Sequence, residues 1–222
     1  MKRLSHLLLT AFLLGVSFFA SAKNGAELDC QIGTTAQELI QLHRAPHGAK
    51  RIGKHTLAIR WQAGQRKFKD QPPYDEPMGG VRWEYCGYNA AVKKHLLQKW
   101  DGSALSGVML DDATGAVLPA GESVLFSPDF QYYLAYEQED GRDGATLKLY
   151  RRDGSPEWDA YSGILTPDRS TILATFENTH WNDNGQLQTS ATCVGAAKAS
   201  TLKLTRVSGQ WQWLPRIRCP AQ

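Results

Sequence analysis

Short stretches of alternating apolar and polar residues recur along the chain. In Leu147-Lys148-Leu149-Tyr150 a period of two puts both leucines on one side of an extended strand and predicts that this side is buried. The same spacing occurs at Leu57 and Ile59, at Val108 and Leu110, and at Leu202 and Leu204. Each pair stands seven and five residues before a glycine, at positions 64, 115, 154 and 209. Thr114-Gly115 and Asp153-Gly154 supply the positive-φ residue of a tight hairpin, so the chain should return as an outer strand such as Glu157–Ala160.

Three of these glycines are followed thirteen residues later by a proline: Pro77, Pro128 and Pro167. Ser127-Pro128-Asp129 and Thr166-Pro167-Asp168 predict turns in which proline sets φ and aspartate closes the loop. Six residues beyond each proline comes a large apolar residue, Trp83, Leu134 or Leu173, and two further on Tyr85, Tyr136 or Thr175. Segments 124–136 and 163–175 superpose at an offset of 39, while the glycine spacings are 51, 39 and 55. That is the pattern of a repeated strand unit whose loops vary in length.

The run Phe126-Ser-Pro-Asp129, Leu134-Ala-Tyr136, Asp140-Gly141, Leu147-Lys-Leu-Tyr150 and Asp153-Gly154 resembles a blade of the WD-like, Tol-type β-propeller repeat. Residues 108–158 match best, and the copy near Pro77 has Met78 where the family has aspartate. The resemblance implies an all-β domain over residues 23–222, built of blade-like antiparallel sheets as a small or partial propeller. It implies nothing specific about function. The proline due after Gly209 would fall at Gln222, so the last unit is short of inner strands. Residues 23–55 could complete it by pairing the two termini; alternatively Thr34 or Thr35 to His43 forms a short capped helix with Glu38 in its first turn.

Residues 1–22 read differently. Lys2 and Arg3 precede an apolar stretch running to Phe19, and Ala20-Ser21-Ala22 offers the small residues of a cleavage site: a secretory signal peptide, with the periplasm as destination and no membrane span once it is cleaved. Four cysteines, Cys30, Cys86, Cys193 and Cys219, all lie beyond it and suit an oxidising compartment. Their spacings match no zinc pattern. Nearest-neighbour pairing, Cys30–Cys86 with Cys193–Cys219, is favoured; Cys30–Cys219 with Cys86–Cys193 would staple paired termini.

The formal charge of +3 falls to +1 without the leader (23 basic against 22 acidic residues), which argues against a nucleic-acid partner as the default. His43, His47 and His55 form a loose trio, but Pro46 interrupts the helical spacing of the first two, and they are expected as solvated loop residues. No catalytic motif, metal set or cofactor motif stands out. The polar stretch Glu177–Gly185 reads as a long inserted loop, and His180, Trp181 and Asp183 in it are candidate contacts for a partner. Tyr74, in the stiff Gln71–Pro77 segment, is another, whereas the acidic turn Glu137–Asp143 is expected to be merely solvated. Trp61, Trp83, Trp158 and Trp213 fall at repeat positions and should pack, while Trp100, Trp181 and Trp211 could line a binding surface. The expected function is binding: a module that recognises another periplasmic or secreted protein, in its concrete form an inhibitor or immunity protein. The alternative is a small protein that binds or hydrolyses envelope polysaccharide.

Overall fold

The computed structural model describes residues 26–30, 35–74, 79–102, 104–138 and 145–220, so the leader and its cleavage site lie outside the described residues, as does Pro77. After β1 (Glu27–Asp29) comes α1 (Thr35–Arg44), the helix expected from the capping pattern. Sheet I consists of β2 (Ala49–Arg51), β3 (Thr56–Trp61) and β4 (Gly64–Lys69). Sheet II follows as β5 (Val81–Asn89), β6 (Lys94–Asp101), β7 (Ala104–Asp111) and β8 (Val117–Ala120). Sheet III holds β9 (Ser123–Phe126), β10 (Tyr132–Gln138), β11 (Ala145–Arg151) and β12 (Pro156–Tyr161), with β1 added beside β9. Sheet IV holds β13 (Gly163–Leu165), β14 (Ile172–Trp181), β15 (Leu187–Cys193), β16 (Ser200–Val207) and β17 (Gln210–Leu214). Among the described residues the fold is all-β with one helix, and apart from β1 each sheet is an antiparallel meander of consecutive strands.

Three cores join the sheets in chain order. Leu57, Ile59 and Phe68 of sheet I meet Tyr85, Leu97 and Leu110 of sheet II, with Leu42 of α1 closing the edge. The opposite face of sheet II, with Leu96, Met109 and Ala120, packs on Val124, Phe126 and Tyr133 of sheet III. Sheet III then turns Leu134, Leu147 and Leu149 towards Leu187 and Leu204 of sheet IV. Sheets II and III are therefore apolar on both faces, which is why neighbours such as Leu96-Leu97 and Met109-Leu110 are all buried. Among the described residues no core joins sheet IV back to sheet I.

Close backbone contacts lock the stack. Gly115, at φ +70, turns the β7–β8 hairpin, and a Cβ there would stand 2.4 Å from the ring of Trp61 in sheet I. Gly121, between β8 and β9, lies so close to β10 that a Cβ would meet the Tyr136 carbonyl oxygen at 1.7 Å. No side chain larger than hydrogen fits either place.

The two proline turns carry the same bonds. Ser127 N–H donates to the Tyr132 carbonyl at 2.9 Å and Phe130 N–H to the Ser127 carbonyl at 2.8 Å; Thr166 with Thr171, and Arg169 with Thr166, do the same at 2.9 and 2.8 Å. Phe130 and Arg169 both have positive φ, 56° and 59°. Downstream the segments diverge. Leu134 is fully buried on β10 against sheet IV, but Leu173 on β14 is only half-buried, because it lies on the face of sheet IV opposite Ala174 and Phe176, where among the described residues no further sheet packs.

Two open alternatives are decided, and one expectation is corrected. Among the described residues the two ends of the chain do not pair: β1 bonds to β9 in sheet III, through Glu27–Leu125, Leu28–Val124 and Asp29–Ser123, because Leu28 belongs to the core between sheets II and III. The disulfides are Cys30–Cys86 (Cα–Cα 4.7 Å) and Cys193–Cys219 (5.5 Å), so the terminal staple is absent. The first ties β1 to β5 across two sheets, and the second holds the tail after β17 against the end of β15. Finally, residues 177–185 are not a long loop. The extra length of the last unit forms the outer half of β14, a tight turn and β15, an inserted strand whose Leu187, Thr189 and Ala191 are all buried.

Candidate binding site

A β-bulge decides where the candidate residues point. On β14 Ala174 and Phe176 face inward; with unbroken alternation Asn178 and His180 would follow them. Register instead slips between Glu177 and His180: Glu177 pairs with Ser190, and His180 with Gln188. Asn178 takes φ 51°, a conformation asparagine tolerates better than most residues. The parity of the strand is thereby reversed. Thr179 turns in, its hydroxyl 2.9 Å from that of Thr189, while the Thr189 hydroxyl is also 3.1 Å from the Glu177 carbonyl. His180 turns out to solvent, with Nδ1–H donating to the Asn178 carbonyl at 2.7 Å. Trp181 turns in, half-buried, and donates its indole N–H to the Leu125 carbonyl of sheet III at 3.0 Å.

Trp181 thus forms one wall of a cleft of about 330 Å³ between sheets III and IV, shared with Asp129, Tyr132, Gln186, Arg206 and Trp211. Trp211 donates its indole N–H to Glu157 Oε2 at 3.4 Å, and Tyr132 meets it edge-on with ring centroids 6.2 Å apart. The Arg206 guanidinium lies 5.9 Å from the Trp211 ring centre, held by a bond from Nε to the Gly209 carbonyl. Behind the cleft Trp213 packs edge-to-face on Trp158 and Phe176, and its own indole nitrogen is buried without a hydrogen-bond partner among the described residues. Asp129 is committed to its turn, accepting from Ser127 Oγ–H at 2.6 Å and Gln131 N–H at 3.1 Å; these bonds hold its carboxyl below the usual carboxylate range. The cleft therefore offers aromatic faces and one cation, with the indole N–H groups of Trp181 and Trp211 already used to fix the rings.

Asp183 sits at the exposed tip of the next turn. That turn is set by Asn182, whose side-chain oxygen accepts from the N–H groups of Asn184 and Gln186, and by Gly185 at φ 70°. The four candidate contacts do not converge. Trp181, His180 and Asp183 stand at sheets III and IV, whereas Tyr74 is beside sheets I and II, exposed, with its hydroxyl 2.9 Å from His55 Nδ1. Trp100 is exposed too, its indole N–H bonded to Glu84 at 3.1 Å.

Sequence reading missed a buried polar chain in sheet II. The Tyr85 hydroxyl lies 2.8 Å from His95 Nδ1, His95 Nε2 3.3 Å from Asp112 Oδ1, and Asp112 Oδ2 3.2 Å from His47 Nε2. His95 is wholly buried; that burial pushes its pKa below the ordinary value of 6.5, against the opposing pull of Asp112. Burial likewise raises Tyr85 well above the usual phenol. His47, expected as a free loop histidine, anchors the α1–β2 connection to this chain. A second network joins α1 to sheets I and II: Arg51 binds Glu38 bidentately at 2.8 and 3.2 Å and Asp70 at 3.0 Å, and Glu38 also accepts the Tyr85 N–H at 2.9 Å. No local motif announces either network, because their members are brought together from separate strands.

Among the described residues no group of three or more His, Cys, Asp or Glu side chains is placed to hold a metal ion. No helix among them is long and apolar enough to cross a membrane. Comparison with protein-family models, curated proteins and solved structures finds no match.

Proposed function

We propose that this chain is an exported binding module that recognises another periplasmic or secreted protein through the aromatic cleft between sheets III and IV. The observation that carries the proposal is the preorganisation of that cleft. Trp181 and Trp211 are fixed by hydrogen bonds to Leu125 and Glu157, so a ligand side chain entering between them meets rings that have little freedom left to lose. In its most concrete form the protein is an inhibitor or immunity protein that blocks a toxin or a cell-wall enzyme. Two disulfides support export to an oxidising compartment, with residues 1–22 as the signal peptide. The four meander sheets stacked in chain order, and the matching bonds of the two proline turns, support their reading as blades of a partial propeller.

A second reading rests on the same cleft. Tyr132, Trp181 and Trp211 also provide the aromatic faces on which sugar rings stack, so envelope polysaccharide is the competing ligand. Affinity capture from periplasm with the wild type and with Arg206→Ala, alongside titration with soluble peptidoglycan fragments, separates the two. The protein-binding reading expects one stoichiometric protein partner that the variant holds at least fivefold more weakly. Saturable fragment binding with no protein partner favours the polysaccharide reading, and hydrolysis of the fragments would make the protein an enzyme.

A further inference from the structure

Residues 39–69 contain Arg44, Lys50, Arg51, Lys54, Arg60, Arg66, Lys67 and Lys69, with three histidines and not one aspartate or glutamate. The near-neutral total of the whole chain conceals this run, and sheet I is built from it. Across the strands Lys50 pairs with Ala58 and Ala58 with Lys67, Thr56 pairs with Lys69, and Arg60 with Gln65. Directly paired residues project to the same side, as do residues two apart on one strand. Leu57, Ile59 and Phe68 face sheet II, so Lys50, Arg60, Lys67 and Lys69 share the opposite, outer face. All four are exposed. Among the described residues Arg51 is the one lysine or arginine of the run in an ion pair; it points away to Glu38 and Asp70.

Like charges gathered on one sheet face repel, and among the described residues no acidic side chain is paired with these four. A partner that supplies the missing negative charge must match a broad, flat surface. Beside the cations stands an exposed aliphatic side chain, Ile52, 40 % exposed in the β2–β3 turn between Arg51 and Lys54. A broad cationic face with an exposed aliphatic at its edge suits a layer of anionic headgroups over hydrocarbon. A single-stranded nucleic acid bound on a sheet would need aromatic side chains to stack its bases, and the outer face of sheet I presents none.

We propose that the outer face of sheet I docks the protein peripherally on an anionic phospholipid bilayer. This surface is separate from the cleft between sheets III and IV, and neither proposal depends on the other. The test is co-sedimentation of the mature chain with vesicles of phosphatidylcholine, with and without phosphatidylglycerol, at low ionic strength. Binding should require phosphatidylglycerol and fall as salt is raised. Each lysine neutralised near the surface should weaken binding about fivefold, so Lys50→Gln, Lys67→Gln and Lys69→Gln combined should weaken it roughly a hundredfold. Lys203→Gln, on the outer face of sheet IV, should leave it unchanged. These exposed substitutions are checked for an unaltered circular dichroism spectrum. The proposal is overturned if anionic vesicles do not bind at low salt, if neutral vesicles bind equally, or if the triple variant binds like the wild type. Capture of a single-stranded DNA oligonucleotide by a protein that ignores the vesicles would overturn it as well.

Discussion

The first and last interfaces of the stack solve the same packing problem with different chemistry. Between sheets I and II a mixed core, in which Phe68 packs on Trp83 among leucines and Ile59, is bordered by charge: Arg51 clamped to Glu38 and Asp70, and the Tyr85–His95–Asp112–His47 chain. Between sheets III and IV the core is aromatic, with Trp158, Trp181, Trp211, Trp213 and Phe176 around Leu134, Leu147 and Leu149. The first interface is closed by α1, whereas the second opens into a cleft. The difference teaches where each function can sit. Buried ions need every partner in place, so that interface should lose stability when one partner is removed. Aromatic faces need no counter-charge, so they can line a cleft without loss.

The comparison can be broken most severely at Glu38. Removing it strands the Arg51 guanidinium and the Tyr85 N–H, so Glu38→Ala should cost about 3–5 kcal/mol in denaturant unfolding. A cost below about 1 kcal/mol would show that the first interface does not depend on its ions. On the aromatic side Trp181→Ala removes a half-buried ring and its bond to Leu125, and should cost about 2–3 kcal/mol, less than a fully buried tryptophan. An unchanged melting temperature would mean that the ring serves only ligands.

Acid should separate the two interfaces further. His95 has a folded pKa below 6.5, so as pH falls through 6.5 the unfolded chain takes up a proton that the folded chain resists. Stability on this account is complete above pH 6.5 and is lost below it, at up to about 1.4 kcal/mol per pH unit for one group. His95→Gln should flatten that slope in unfolding curves taken between pH 7.5 and 5.5; an unaltered slope would assign the acid sensitivity to other groups. The smallest effect is expected at Arg206. Its contact with Trp211 is at the surface, so Arg206→Ala should change stability by about 0.5–1 kcal/mol while reducing partner affinity.

Much of the scaffold was legible because it depends on short-range rules. The alternating pairs Leu57/Ile59, Leu147/Leu149 and Leu202/Leu204 are all buried on strands, and the hairpin glycines 115, 154 and 209 all have positive φ. The capped helix forms at Thr35–Arg44, and the favoured nearest-neighbour disulfide pairing is the one observed. The candidate site was legible only in part. Trp181 and Trp211 were singled out as unconstrained aromatics, but Tyr132 and Arg206, which share their cleft, carry no sequence signal.

By itself the sequence determined periodicity, turn chemistry and cysteine count, properties fixed within a few residues of one another. Only the tertiary structure decided which face each strand presents and to whom. One extra residue at Asn178 reversed the parity of β14, so a stretch that reads as a polar loop became a strand with Trp181 turned into a cleft. Leu28 drew β1 into sheet III instead of to the far terminus, because its burial between sheets II and III outweighs any contact two exposed chain ends could make. Sheet I gathered Lys50, Lys67 and Lys69 on one face because cross-strand register, which no local pattern encodes, set them side by side.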